Sequence, residues 1–333
     1  DPVLNSCDFT SNSATNGGGM ANYNESNPIM TECNFIDNVA SSLGGAIWIS
    51  NFSGDNSSPV ISGCTFNGNT ASKGGAIRSY SSSPVVNNST FSLNNADYGG
   101  GMYNSVSSPD VSNCTFHGNA ADVFGGGIGN YNSSPEITNC TFFGNIAENG
   151  AGIDNDSYSS PWVTNCTFSA NSARALEGGD GMCNFDHSNP TLINCIFWDE
   201  NGYEIDNLYL VDGTSTPTMS FCIVKNNDVG GGTIADNIIT ADPMLEALAD
   251  NGGPTWTCAL GEGSSAIDGG TDEGNIPDTD QRGVARPQGA GYDIGAFEVE
   301  QASSSGGGCN ISTIPVFGFL LFVPVLFLLK RGK

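Results

Sequence analysis

The 333-residue sequence predicts an all-β solenoid, a parallel β-helix, and three observations carry that expectation. One unit of about 25 to 31 residues recurs from the first residues to about position 235. Within a unit the apolar residues alternate in short pieces, and no run has a helical period long enough for a helix. Asparagine and glycine punctuate those pieces as turns, with 45 glycines in all. Three short strands and their turns make one coil, and coils stack at roughly 4.8 Å. One coil buries no face of its own, so the array is the folding unit. Eight coils give a rod on the order of 40 Å long.

The repeated columns follow in order along the unit. Phe9, Phe35, Phe66, Phe91, Phe116, Phe142, Phe168 and Phe197 are expected to stack inside the tube. Three residues later stand Asn12, Asn38, Asn69, Asn94, Asn119, Asn145 and Asn171, with Asn201 four after its Phe. Asn tolerates left-handed backbone at a bend, and its amide can bond the next coil's Asn or backbone. Ala14, Ala40, Ala71, Ala96, Ala121, Ala147 and Ala173 come next. Glycine pairs such as Gly44–Gly45 and Gly74–Gly75 suit positive φ or close backbone approach. Proline, from Pro28 to Pro217, opens each following unit where no ladder donor is needed. Thr65, Thr90, Thr115, Thr141 and Thr167 lie between inward Cys and inward Phe, so they are expected to face water. That single Thr file also allows an ice-binding reading, but no second matching rank accompanies it.

The motif NCTF at Asn113, Asn139 and Asn165 places cysteine in the same repeat. Cys7, Cys33, Cys64, Cys114, Cys140, Cys166, Cys195 and Cys222 form one column, in which position 89 is Ser. A buried file of free thiols is the expectation, since Cys packs as a small hydrophobe. In-register side chains point the same way and Ser89 breaks simple pairing, which argues against disulfides. A linear file lacks tetrahedral convergence, which argues against metal. Buried thiols are inert, which argues against catalysis, and neither His117 nor His187 recurs beside the column. Cys183 and Cys258 fall outside it. No cofactor is expected.

Charge sets the partners. Thirty-five acidic against 9 basic residues give a formal charge of −26, which excludes nucleic acid as a partner of the folded part. The chain opens at Asp1 with neither Met nor a signal peptide, so a fragment or processed form is expected, with an N-terminally incomplete solenoid.

The residues FIDN…GGAI (Phe35 to Ile47) and FNGN…GGAI (Phe66 to Ile77) resemble the repeats of polymorphic outer membrane proteins. The wider I-x-NCTF-x-x-N pattern is similar to the right-handed parallel β-helix superfamily that includes pectate lyases. The resemblance implies a single-stranded right-handed parallel β-helix over residues 1–238, and surface or adhesin roles. Residues 239–300 break the period. ADPMLEALADNGGPTWTCALGEGSSAIDGG and DQRGVARPQGAGYDIGAFE closely resemble the choice-of-anchor Q module of bacterial surface proteins. A non-repeating segment there is expected to cap the last open coil. Arg282 and Arg286 are expected to pair with Asp280 and Asp293. Asp268, Asp272, Asp278 and Asp280 are weak candidates for oxygen ligands of Ca²⁺.

Residues 301–310 read as a flexible linker ending at Gly307, Gly308 and Cys309. Ile311 to Leu329 is apolar and long enough to cross a bilayer, and Lys330, Arg331 and Lys333 place its end on the cytoplasmic side. The tail at 311–333 resembles the C-terminal sorting signals of the Synerg-CTERM and GlyGly-CTERM types. That implies a membrane protease cutting near Gly308–Cys309, a lipid on Cys309, and export to a bacterial surface or outer membrane. A plain membrane anchor is the alternative.

Two functions remain open. The regular ladders and the anchor favour a non-catalytic adhesin or surface protein whose partner is a glycan or protein. The alternative is a polysaccharide lyase or hydrolase, which needs clustered carboxylates and often an Arg or Lys base. Asp154 and Asp156 form the nearest acidic pair, with Asp180 and Asp186 one coil later. Lys73, Arg78, Arg174 and Lys225 are the bases before the C-terminal segment.

Overall fold

The computed structural model describes all residues except 53–57, 176–177, 200–202, 209–214, 230–233 and 302–333. Residues 1–301 form one compact unit, a parallel solenoid of about eight turns with a C-terminal segment on its flank. Among the described residues, three long parallel sheets run along the tube. The first has ten strands, from Val3–Asn5 to Ile234–Asp236. The second has nine, from Asp8–Thr10 to Ile223–Val224. The third has eight, from Met20–Tyr23 to Ile205–Leu208. A fourth, shorter ladder runs beside them. It includes Asn95–Tyr98 and Ala120–Phe124, with bridges through Thr70 and Lys73.

Register is in step along the three long sheets and shifts only in the shorter ladders, at Ala96/Tyr98 and Ala14/Asn16, so each column of the long sheets becomes a physical column. Phe66 pairs with Phe35 and Phe91, and the rings stack from Phe9 to Phe197. Successive centroids such as Phe91–Phe116 lie 4.5 Å apart with planes 8° from parallel. Seven of these phenylalanines, from Phe35 to Phe197, are wholly buried. The apolar core continues through Cys, Ile, Val and Met of the three sheets.

The asparagine column is a continuous amide ladder. The Asn69 backbone N–H and Nδ2 both donate to Asn94 Oδ1, at 3.0 and 2.9 Å. Nδ2 also donates to the Phe35 carbonyl at 2.9 Å. The pattern repeats through Asn171, whose acceptor is Asp199. Asp199 thus takes the position expected of Asn201, which lies outside the described residues. The ladder asparagines are not the left-handed residues. The residue just before each is, at Ser11, Asp37, Leu93 and Ala170 or at Gly68, Gly118 and Gly144. Left-handed backbone does fall on the Asn of NCTF, with φ of 53° at Asn113 and 50° at Asn139 and Asn165.

The glycine pair divides its work. Gly44 has φ +61°, while a Cβ on Gly45 would sit 2.1 Å from the Gly75 carbonyl oxygen. Backbone passes too close there for any side chain.

The cysteine file is free and, from Cys33 on, buried. Each thiol donates to the carbonyl two residues earlier, as Cys114 does to Ser112 at 3.2 Å. Ser89 substitutes without breaking the pattern: its Oγ donates to the Asn87 carbonyl at 2.8 Å and accepts from the Cys64 N–H. Burial pushes Cys64 up to about 11 and raises Cys114, Cys166 and Cys222. Cys183 and Cys258 are also free and buried.

The C-terminal segment meets the last coil through Ile223 and continues along the flank of the solenoid. Its contacts run along the outer face of the second sheet. Thr115 donates to the Trp256 carbonyl at 2.5 Å, and Thr141 donates to Gln281 Oε1 at 2.7 Å. Thr167 accepts from the Ala296 N–H at 3.0 Å, and Asn194 Nδ2 donates to the Thr271 carbonyl at 2.9 Å. Thr115, Thr141 and Thr167 are therefore buried, not solvated; Thr65 and Thr90, below the segment, stay half-exposed. Their outward direction is as expected, but the segment covers the upper half of the file. Ile196 and Ile223 meet Leu260, Ala266 and Ile294 in a second, small core beneath it.

Within the segment Arg282 pairs with Asp280 at 2.8 Å, as expected. Arg286 pairs instead with Glu298, at 3.1 Å, and takes only the backbone carbonyl of Asp293, at 2.6 Å. The Asp293 carboxylate is engaged otherwise, accepting from the Asp268 and Val299 N–H groups.

Candidate functional site

The outer face of the third sheet carries the column where the repeat stops repeating. In register along the axis stand Trp48, Arg78, Tyr103, Gly129, Asp154, Cys183 and Asp206. From Tyr103 on, inner neighbours on the same strands repeat, whereas Ile49 and Ser79 hold the next inner position beside Trp48 and Arg78. Ile128 and Ile153 fill the core, and Asn104, Asn130, Asn155, Asn184 and Asn207 form a second buried amide ladder. That ladder fixes the strands beneath the variable column.

Side chains from the fourth ladder lean over this face and leave a cleft of about 280 Å³. Lys73, Tyr98 and Phe124 line one side; Tyr103, Tyr131, Asn130, Asp154 and Asp156 line the other. Gly129 makes the room, since a Cβ there would press on Tyr103 Cδ2 at 3.0 Å. The Lys73 ammonium lies over the Tyr98 and Tyr103 rings, 5.2 and 5.5 Å from their centroids. The buried Arg78 guanidinium lies 4.9 Å from the Tyr103 centroid and 5.6 Å from that of Tyr80. One end of the cleft is therefore cationic over aromatic rings.

The other end is acidic. Asp154 is 2% exposed, yet its Oδ1 has no hydrogen-bond partner among the described residues. Burial, then the neighbouring Asp156, raises its carboxyl well above the ordinary range. Asp156 is raised less, by burial and by Asp186, while Ser157 pulls it down. Tyr103 is pushed up to about 12 by burial, with Arg78 opposing. Burial pulls Arg78 down to about 10. An ionised Asp154 without a donor would be costly in so dry a place, so the carboxyl is held neutral.

The four candidate acids divide. Asp154 and Asp156 line the cleft, and Asp186 stands close enough to act on Asp156 while meeting His187 Nδ1 at 3.1 Å. Asp180 is elsewhere: it accepts from the Ala173 N–H at 2.5 Å and stands near Asp199. Asp199 and Glu204 form a separate buried pair, in which the Asp199 N–H donates to Glu204 Oε1 at 3.0 Å. Burial pushes Glu204 up to about 9 and Asp199 to about 7. Lys225 donates to the Asp199 carbonyl, not to a carboxylate.

Sequence reasoning finds the acidic end but misses Tyr98, Tyr103, Phe124 and Tyr131. The one signal available, for Tyr103 alone, was that the position after Met or Ile in the glycine motif varies from coil to coil. Two further clefts are larger but lack an unpartnered buried carboxyl among aromatic rings. One, of about 440 Å³, lies around Phe52 and Tyr80; the other, of about 340 Å³, around Asp110, Glu136 and Asn275.

The weak Ca²⁺ candidates are spoken for or dispersed. Asp280 holds Arg282, and Asp268 Oδ1 accepts from the Gly291 N–H at 2.9 Å. No group of three or more His, Cys, Asp or Glu side chains placed to hold a metal occurs among the described residues, Asp272 and Asp278 included. Gly307, Gly308, Cys309 and the apolar tail lie outside the described residues.

No curated protein matches the chain. The family model for the right-handed β-helix region matches residues 1–116 and 102–241, most of the chain and the whole of the stacked columns. With that match over the coils that build the cleft, the chain belongs to the right-handed β-helix family.

Proposed function

We propose that the protein is an exported, surface-attached β-helical protein that binds glycans non-catalytically through the cleft over Tyr103. The observation that carries this reading is the cleft's composition. Flat aromatic rings of Tyr98, Tyr103, Phe124 and Tyr131 stand beside a few polar groups, as ligand sites require. Sugars offer apolar ring faces to aromatics and hydroxyls to carboxyl and amide groups. Constant ladders on either side supply rigidity, which suits a binding surface on a stalk. The C-terminal tail would hold the protein to the membrane, with a sorting protease acting at Gly308–Cys309. A screen of the full chain against immobilised glycans tests the reading. Retention of one glycan class, weakened in Tyr131→Ala at the exposed rim of the cleft with unchanged thermal unfolding, is expected; no retained glycan overturns it.

One observation favours a second reading, a polysaccharide hydrolase or lyase. Asp154 is a neutral buried carboxyl beside a more exposed Asp156, an arrangement that can supply a general acid and its ionised partner. Release of new reducing ends or unsaturated products, lost in Asp154→Ala, would place this reading first.

A further inference from the structure

We propose that the acidic end of the cleft takes an organic ammonium group, the free amine of a hexosamine residue in the bound glycan. The inference rests on the glycan-binding reading and names the sugar class that the site selects.

Asp154 carries it. A side chain 2% exposed, lining an open cleft, ends in a carboxyl oxygen with no donor among the described residues. Native proteins rarely leave a buried carboxyl so, and a ligand donor is the simplest completion. Asp156 follows two residues later on the same strand, so both carboxyls stand on one face. The Asp154 carboxyl, neutral without a donor, ionises when an ammonium supplies the missing donors and charge, and the same group meets Asp156.

Two alternatives fit less well. Ca²⁺ needs about six to eight oxygen ligands. Beyond the two aspartates the nearby polar groups are the Tyr103 and Tyr131 phenols, which are not usual Ca²⁺ ligands, and the Asn130 amide, which is committed. It accepts from Asn104 and donates to Asn155, both at 3.0 Å. A plain hydroxyl offers one donor and no charge, so it leaves the second carboxylate unmatched. Aromatic walls argue in the same direction. The negative faces of tyrosine rings attract ammonium groups, and here Tyr98 and Tyr103 already hold the ammonium of Lys73. A ligand amine at the Asp154 end would repeat that arrangement, at the opposite end of the cleft from the chain's own cation. Charge works over longer range too, since a formal charge of −26 draws a polycationic glycan toward the surface.

Titration calorimetry of the full chain tests the proposal with three β-1,4-linked trisaccharides: of glucosamine, of N-acetylglucosamine, and of glucose. The glucosamine trisaccharide is expected to bind about tenfold or more tighter than its N-acetylated counterpart. Asp154→Asn keeps the size of the side chain but cannot ionise, and the preference is expected to fall to about twofold or less. Equal affinity for all three sugars in the wild type overturns the inference and leaves the glycan-binding reading standing. Preference kept in a folded Asp154→Asn also overturns it. Binding of none of the three, with another glycan retained in the screen, overturns the hexosamine assignment alone. The wild-type affinity ratio needs no variant, so it decides even if Asp154→Asn unfolds.

Discussion

Asn119 has an amide that serves three residues at once. Its Oδ1 accepts from both the N–H and the Nδ2 of Asn94, and its own Nδ2 donates to Asn145 Oδ1 and the Phe91 carbonyl. Replacement by Ala strands two buried donors below and leaves an acceptor above short of partners. Each stranded group costs about 1–3 kcal/mol. Asn119→Ala is therefore expected to lose roughly 2–5 kcal/mol, measured by denaturant unfolding. Cys140 is the contrast. Ser89 shows that a hydroxyl satisfies the same position, so Cys140→Ser should cost no more than about 1–2 kcal/mol. Thiol reagents should leave the file from Cys33 on unmodified until unfolding, because burial keeps those thiols out of reach. The ladders were legible in sequence because identical side chains recur at one register. The left-handed residue before each Asn was not. It varies among Ser, Asp, Leu, Ala and Gly, so it leaves no column to read.

At the scale of elements, the C-terminal segment acts as a strap. Its longest reach is Gln281, whose Nε2 donates to Thr115 Oγ1 at 2.9 Å and whose Oε1 accepts from Thr141. Gln281→Ala leaves two buried hydroxyls short of partners and should destabilise by about 1–3 kcal/mol. Protease nicking between residues 241 and 301 should then precede loss of the solenoid, which limited proteolysis can follow. The DQRGVAR stretch was readable as structural: Asp280 and Arg282 pair as expected, and Gln281 is the group that docks. Its docking site was not readable, because the Thr file gives no sign of which coils are covered. The Arg286 partner was missed because Glu298 stands 12 residues away in sequence, five beyond the Asp293 expected. The Asp199–Glu204 pair gives the coils a pH dependence. Both hold protons in the folded chain above their ordinary range near about pH 4. The folded state therefore binds more protons than the unfolded one from about pH 4 up to about pH 9. Stability falls as pH rises through that window. Glu204→Gln should flatten the decline in melting temperature between about pH 5 and pH 9.

The whole molecule separates scaffold from site by column. Where a side chain must meet its copy in the next coil, the sequence repeats, and the fold could be read from that repetition. Where side chains meet something else, as along Arg78, Tyr103, Gly129 and Asp154, the repeat is free to vary. Acidic residues in that column stand out against the background, whereas tyrosines do not, so only half of the cleft could be found before the coils were stacked. Tyr98 and Phe124 come from a different ladder altogether, and stacking alone brings them over Tyr103. The central claim, that this variable column is a glycan-binding site and the ladders only hold it, is open to one direct measurement. Glycan affinity and melting temperature would be taken together for the full chain, Tyr131→Ala and Asn119→Ala; Tyr131 lines the cleft yet is 44% exposed, so its loss spares the core. The expected result is weakened affinity with kept stability in Tyr131→Ala, and kept affinity with lowered stability in Asn119→Ala. Full glycan affinity in a folded Tyr131→Ala would contradict the claim.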